Sequence, residues 1–345
     1  MKIYKFGGAS VKDASGVKNV VKILNQLGKD KILIVVSAMG KTTNSLELVV
    51  KNYFDNKEEL QFSLNQILDF HNNILNELFK EKNHSVFNEL KEIVENLKVF
   101  LKRNKSPNYS FVYDQVVSYG EILSTKIIHS YLNHVNIKSN WLDSRLLIKT
   151  DSKYRDANLN WQLTQSNISN KVDSTLLNIT QGFISSDDNN FSTTLGREGS
   201  DYSAAIFAYC LNAQSLTIWK DVPGVLNADP RVFKKPQLLN KISYTEAIEL
   251  AFYGASVIHP KTLQPIQKKE IPLYVKSFLD PASPGTVISR GIKIDPEIPC
   301  FIVKRDLSLL KLSSLDFSFI VEDNISDIFQ ILHENKMKVD LIHNS

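Results

Sequence analysis

Met1-Lys-Ile-Tyr-Lys-Phe-Gly-Gly, residues 1–8, alternates polar and apolar side chains and then breaks at two glycines. It reads as a short strand ending in a tight turn. Downstream, Val17, Val20, Val21, Ile23, Leu24 and Leu27 form an apolar stripe at helical spacing, closed by Gly28. Lys31-Ile-Leu-Ile-Val-Val at 31–36 is a continuous apolar run of the kind that lies in a sheet covered on both faces. Strand, helix and strand at this spacing predict a right-handed crossover, and therefore an α/β chain built on a parallel sheet.

A second glycine segment, Thr-Leu-Gly-Arg-Glu-Gly-Ser-Asp, occupies 194–201. Like Lys5-Phe-Gly-Gly-Ala-Ser at 5–10, it follows a strand-like run and ends where a helix can begin. Amides bared by glycine at a helix N-terminus form a concave anion trap. The first segment adds Lys5, the second Arg197 and Asp201. Both cation types and an acid beside two such turns suit a polyanion and a second charged ligand, which points to phosphoryl transfer. The phosphate-cradling Gly-x-x-x-x-Gly-Lys-[Ser/Thr] pattern and the protein-kinase signatures are missing, and no Gly-x-Gly-x-x-Gly follows a strand. The cradle is of another design, and a nicotinamide dehydrogenase is disfavoured.

At 345 residues the chain has room for one large and one small domain, and 43% hydrophobic with 23% charged residues is ordinary globular composition. A formal charge of +4 without a basic run gives no support to a nucleic-acid or membrane-surface role. Two distant cysteines, Cys210 and Cys300, make neither a disulfide framework nor a zinc site, and Cys210 reads as a core thiol. No signal-peptide core or span-length apolar stretch is present, so the cytoplasm is the expected location.

Between Gly40 and Pro107 the spacing predicts two long amphipathic helices flanking a substrate pocket. Gln115–Tyr131 reads as a further helix. Leu176–Phe183 reads as a strand with a hairpin return at Phe191–Leu195, and Ser200 as the cap of a helix over Asp201–Leu211. A strand at Ser215–Trp219, helices at Tyr244–Phe252 and from Pro260, and a strand at Ile271–Ser277 follow. Pro296 and Pro299 mark a linker, giving a first domain over 1–295 and a second from 296 to 345. Strands at Cys300–Lys304, Leu309–Leu312, Phe317–Val321 and Lys338–Ile342 around a helix at Asn324–Glu334 match the opening of a ferredoxin-like module that stops short.

These motifs resemble the amino-acid kinase family and, within it, the aspartate kinases. The likeness covers nearly the whole chain. Lys5-Phe-Gly-Gly-Ala-Ser is similar to the family's Lys-Phe-Gly-Gly-Thr-Ser, and the segment from Thr194 to its Thr-Leu-Gly-Arg-Gly-Gly-Ser-Asp. Trp219-Lys-Asp-Val-Pro-Gly and Ala228-Asp-Pro-Arg resemble its nucleotide loop, and Tyr253-Gly-Ala-Ser-Val-Ile-His-Pro a late helix junction. The resemblance implies a three-layer αβα sandwich with a mainly parallel central sheet, followed by a partial ACT (ferredoxin-like) regulatory module. Three departures stand out: Ala9 for threonine, Glu198 for the glycine after the arginine, and Ser256 where some relatives carry a phosphate-contacting lysine. Glu198 is expected to point outward, and Lys261 or Arg231 to replace the missing cation.

The implied reaction is ATP-dependent phosphorylation of the L-aspartate side chain, with Mg²⁺ held mainly by ATP oxygens and water and no dedicated protein ligand. It calls for no general base, since the acceptor carboxylate is ionised at pH 7. Lys5 is expected at the transferring phosphoryl, with Gly7 and Gly8 offering backbone N–H groups. Arg197 can fork the α-carboxylate, while Glu121 and Asp201 pair the ammonium. Ser37, Thr43 and Ser200 fall on the substrate side, and Lys220, Asp221, Asp229 and Arg231 on the nucleotide side. Any one of these has a plainer reading, such as a first-turn glutamate for Glu121 or a helix cap for Ser37 or Thr43. His259 reads as structural. By resemblance Asp340, Asn344 and Ser345 fall where lysine-sensitive relatives hold their effector, and a homodimer forms through a complete ACT region. The rival readings are a sibling kinase with another substrate, and a catalytically silent effector-binding protein on the same fold.

Overall fold

The computed structural model describes residues 1–254, 258–313, 321–335, 337 and 339–343. In chain order the elements are β1 (Lys2–Phe6), α1 (Ala14–Leu27), β2 (Ile32–Val36), α2 (Thr42–Asp55), α3 (Lys57–Leu78), α4 (Ser85–Arg103) and α5 (Tyr109–His134). Next come β3 (Ser139–Leu142), α6 (Trp161–Lys171), β4 (Leu177–Gln181), β5 (Ile184–Ser186), β6 (Ser192–Thr194), α7 (Gly199–Cys210) and β7 (Ser215–Lys220). The chain continues through β8 (Lys241–Ser243), α8 (Tyr244–Tyr253), α9 (Pro260–Lys268), β9 (Leu273–Ser277), β10 (Thr286–Ser289) and α10 (Glu322–Glu334).

Eight strands form one sheet in the order β3-β4-β2-β1-β7-β9-β10-β8. Every neighbouring pair is parallel except β9 with β10. The period-two alternation of the strands sorts their side chains onto two cores. Tyr4, Phe6, Ile32, Ile34 and Val36 face the layer of α1–α5, while Ile3, Leu33 and Val35 face the layer of α6–α9. This is the expected three-layer sandwich. All five residues of β2 are buried, which explains their uniformly apolar choice. Each such side chain contributes about 1.5–3 kcal/mol of hydrophobic stabilisation.

Several local expectations need correction. Residues 40–107 hold three helices, not two, because the chain breaks at Asn56 between α2 and α3. The return strand β6 pairs not with β4 but with a separate short strand, β5, in its own two-stranded sheet. The first glycine turn does not open a helix: α1 starts only at Ala14, where the Asp13 carboxylate accepts from the Gly16 amide at 2.8 Å. Ser200 is not a cap, since it lies inside α7, whose N-cap is Glu198 without a side-chain bond. Helix α6 and the short strands β8 and β10 carry too few periodic residues to stand out in the sequence.

Beyond β10 the chain stays tied to the sandwich. The Asp295 backbone bridges to Lys241, and the Phe301 amide donates to the Asn227 carbonyl at 2.7 Å. Cys300–Lys304 and Leu309–Leu312 form no strands, apart from an isolated bridge of Phe301 to Ala228. Residues 339–342 are likewise not a strand, and most of the run expected at 317–321 lies outside the described residues. Helix α10 forms as expected but buries no residue, and Leu309 is 96% exposed. Among the described residues of this tail no paired strands form a sheet face for these apolar side chains to cover.

Candidate active site

The parallel strands end on one edge of the molecule, and their C-terminal turns line a cavity of about 600 Å³. Lys5 lies near the C-terminal end of β1 and Gly8 follows it, Ser37 and Ala38 follow β2, Phe183 follows β4, and Lys220 closes β7. The N-terminus of α7 supplies Gly199, Ser200 and Asp201, and that of α2 supplies Thr43. Ligand sites in open parallel sheets lie at this edge because helix N-termini and loop amides converge there.

A buried ion cluster forms the floor. The Lys5 ammonium sits 2.6 Å from one Asp201 oxygen, and Lys220 lies 3.5 Å from the other. Burial opposes the charge on Asp201, but the two lysines outweigh it and hold its carboxyl below the usual range. Asp201 thus fixes the lysine ammonium group at the end of β1. Glu121, on α5, is 3% exposed. Its Oε1 accepts from the Ala38 amide at 3.3 Å, while Oε2 is buried with no hydrogen-bond partner. Burial, against weaker opposing help from the Ala38 bond and Lys5, pushes its pKa up to about 8. A buried carboxyl with one unmatched oxygen, lining the cavity, stands to be ionised by a cationic guest, which would draw its pKa back down.

The turns around this floor are tightly constrained. A Cβ on Gly8 would come within 2.6 Å of the Ala38 carbonyl oxygen, so only glycine lets the first turn lie against the turn after β2. Three of the cavity's non-glycine residues adopt positive φ: Arg155 at 71°, Phe183 at 65° and Glu198 at 54°. Such conformations persist where the surroundings over-determine them, and they cluster at functional sites. Glu198 lines the cavity with a buried Oε2, contrary to the expectation that it points outward.

Residues 1–277 match the model of the amino acid kinase family. The chain is 30% identical, over 99% of its length, to lysine-sensitive aspartokinase 3 of Escherichia coli (strain K12), of which it covers 76%. The chain belongs to the amino-acid kinase family, on its aspartokinase branch. It is also 33% identical to the bifunctional aspartokinase/homoserine dehydrogenase of Buchnera aphidicola, spanning 43% of that longer protein. The crystal structure of E. coli aspartokinase III with aspartate and ADP superposes on the whole chain with a TM-score of 0.79 at 28% identity, covering 76% of that structure. The same enzyme with lysine and aspartate gives 0.81.

On this aspartokinase scaffold, Lys5, Gly8, Ser37, Thr43, Glu121, Arg197, Ser200, Asp201 and Lys220 all line the one cavity. Gly7 lies beside it, where a Cβ would stand 3.4 Å from the Lys5 ammonium. Asp221, Asp229 and Arg231 do not line it. Asp221 is exposed, and Arg231 is paired with Asp229 at 2.8 Å. Lys261, the other proposed replacement cation, is paired with Asp156 at 2.5 Å. Ser256 lies outside the described residues, as do Asn344 and Ser345, while Asp340 pairs with Lys304 at 2.6 Å. His259 caps α9, its Nδ1 accepting from the Lys261 amide at 3.2 Å, which bears out its structural reading. Cys210 is buried with its thiol pushed up to about 12 by burial. Sequence reasoning missed the Ala38 amide, Tyr113, Arg155 and Phe183. For Arg155 and Phe183 the signal is a positive φ and for Ala38 a backbone N–H, which no residue pattern announces, while Tyr113 reaches the cavity through its place on α5.

Proposed function

We propose that this chain transfers the γ-phosphoryl group of ATP to the side-chain carboxylate of L-aspartate, giving L-aspartyl-4-phosphate and ADP. The observation that carries this reading is the convergence of Lys5, Glu121, Arg197 and Asp201 on one cavity. In that site the Arg197 fork takes the α-carboxylate, and the buried Glu121 oxygen takes the ammonium. A substrate held at both groups directs its side chain toward Lys5. An oxygen of the side-chain carboxylate then forms a bond to the γ-phosphorus as the bond to the β-bridging oxygen breaks, and ADP leaves with that electron pair.

No proton moves in this step, because the acceptor is already a carboxylate at pH 7. What the protein supplies is position and charge. Lys5, pinned by Asp201, offsets the repulsion between two anions, and the amides of the Gly7-Gly8 turn face the phosphoryl oxygens. Mg²⁺ would neutralise the phosphate chain, held chiefly by ATP oxygens and water. Lys220 extends the cationic lining toward the nucleotide loop.

The relatives named above include a lysine-sensitive enzyme, and lysine is the effector we propose here, with Asp340 and residues 344–345 as its contacts. The boundary near 296 and the ACT-like character of the tail belong to the same proposal. Purified protein with Mg-ATP and L-aspartate is expected to yield an acyl phosphate that hydroxylamine traps as the hydroxamate. Turnover of L-glutamate, carbamate or UMP in place of aspartate would move the chain to a sibling activity, and binding of lysine without ATP would favour the silent regulator.

A further inference from the structure

Arg155 carries no role in the mechanism above, yet it lines the same cavity as Arg197. Its surroundings are unusual for an exposed loop arginine. The backbone is held at φ 71°, a conformation that disfavours any side chain. The restraint is visible: the Arg155 amide donates to Asp114 Oδ2 at 2.9 Å, and that carboxylate, fully buried in α5, also accepts from the Thr194 amide and hydroxyl at 2.9 Å. The Ala157 amide donates to the Thr194 carbonyl at 3.0 Å. A Cβ on Gly196 would approach Asp156 Oδ1 to 2.6 Å and the Arg155 carbonyl oxygen to 3.5 Å. The turn bearing Arg155 is therefore stitched to the turn bearing Arg197.

The guanidinium itself is also positioned. It lies 4.3 Å from the centroid of the Tyr113 ring, and that ring is fixed by donation from its hydroxyl to Glu47 at 2.7 Å. A flat cation on an aromatic face keeps its fork of donors free at the edge. Neighbouring charges are satisfied, with Asp156 paired to Lys261 and Lys5 to Asp201. Arg155 has no carboxylate within 4.0 Å among the described residues. Tyr113 lies about two turns of α5, roughly 12 Å, from Glu121, and Arg155, itself exposed, lines the same cavity. A strained backbone, a fixed platform and a cation without a direct ion pair, its charge felt by the buried Asp114 carboxylate only at longer range, make a poor surface loop and a good anion clamp.

We propose that Arg155 is a specificity-determining residue that binds the substrate α-carboxylate jointly with Arg197. This rests on the aspartate reading above and adds a second guanidinium to it. The deciding variant is Arg155→Gly, because glycine accepts the positive φ without cost and so spares the fold. KM for L-aspartate is expected to rise about 10- to 100-fold, the loss of a charge-assisted pair, and kcat to change less than threefold. Calorimetric affinity for L-aspartate should fall by the same factor, while KM for ATP and the thermal midpoint hold or the midpoint rises. Arg155→Lys should recover part of the loss, since it keeps charge but not the fork.

The substrate supplies the other arm. L-Aspartate α-amide keeps the ammonium and the side-chain carboxylate but lacks the α-carboxylate, so Arg155→Gly should weaken it less than threefold. An unchanged KM for aspartate in Arg155→Gly overturns the proposal, as does an equal loss toward the α-amide. Failure of the wild-type protein to phosphorylate aspartate refutes the underlying function instead, and calorimetry with aspartate separates the two.

Discussion

If the Glu121 carboxyl is neutral in the free protein and takes up the substrate ammonium, aspartate binding must expel a proton. The magnitude follows from the site. With its pKa raised from the ordinary 4.5 to about 8 by burial, Glu121 is roughly nine-tenths protonated at pH 7. An ammonium placed against the unmatched Oε2 favours the ionised form and draws the pKa back down. Titrating L-aspartate at pH 7 in buffers of different ionisation enthalpy should therefore show release of close to one proton per site. Near pH 9, about one unit above the pKa, the release from Glu121 itself should fall to about a tenth, offset by proton uptake on the neutral fraction of free aspartate amine. Glu121→Gln should abolish the release at pH 7, leave only the ligand's own uptake near pH 9, and weaken binding. Buffer-independent heats for the wild-type protein at pH 7 would mean that Glu121 is ionised before aspartate arrives, and the raised pKa would have to be given up. The same shift has a stability consequence whose sign is fixed. A carboxyl whose folded pKa lies above its unfolded value stabilises the fold most below pH 4.5, and that contribution is lost as pH rises through about 8. Glu121→Gln should thus raise the melting temperature relative to wild type above pH 8.

Two further substitutions probe the floor and rim of the cavity. Lys5→Met should reduce kcat by two to three orders of magnitude, the loss typical for a preorganised charge at a transferring group. It should also lower the melting temperature, since the buried Asp201 keeps only the longer contact to Lys220; unchanged kcat would remove Lys5 from the mechanism. Glu198→Gly restores the residue of the family motif at φ 54°. Relief of about 1–2 kcal/mol of left-handed strain, set against glycine's greater chain entropy, should leave a net gain of about 1 kcal/mol in urea unfolding, and a loss of stability would contradict that account.

The parts legible in the sequence were those that depend on side-chain type and spacing. The β1–α1–β2 crossover follows from an alternating run, a helical stripe and a buried run, and the structure forms all three. The two glycine turns announced the cavity because close backbone approach leaves no room for a Cβ, as Gly8 against Ala38 illustrates. Arg155 and Phe183 were invisible, since what brings them to the cavity is a positive φ enforced by distant partners such as Asp114 and Ser203. Glu198 was visible but misdirected: an acid beside an anion site suggests repulsion outward, whereas the left-handed turn aims it inward. The strands expected at 300–304 and 309–312 do not form for a different reason. Their apolar alternation suits strands, but a strand needs a partner, and among the described residues only Phe301 finds one.

In the proposed reaction the side-chain carboxylate of aspartate is the nucleophile toward ATP. L-Aspartate carrying ¹⁸O in that carboxylate, with unlabelled Mg-ATP and hydroxylamine present, tests it at the reacting atom. Attack by the carboxylate places its oxygen in the bridge to phosphorus, and hydroxylamine cleaves the bond on the carbon side. Inorganic phosphate released with the hydroxamate should therefore contain one ¹⁸O atom, seen as an isotope-shifted ³¹P resonance. Unlabelled phosphate alone would mean that water, not aspartate, received the phosphoryl group, and the assignment would fall.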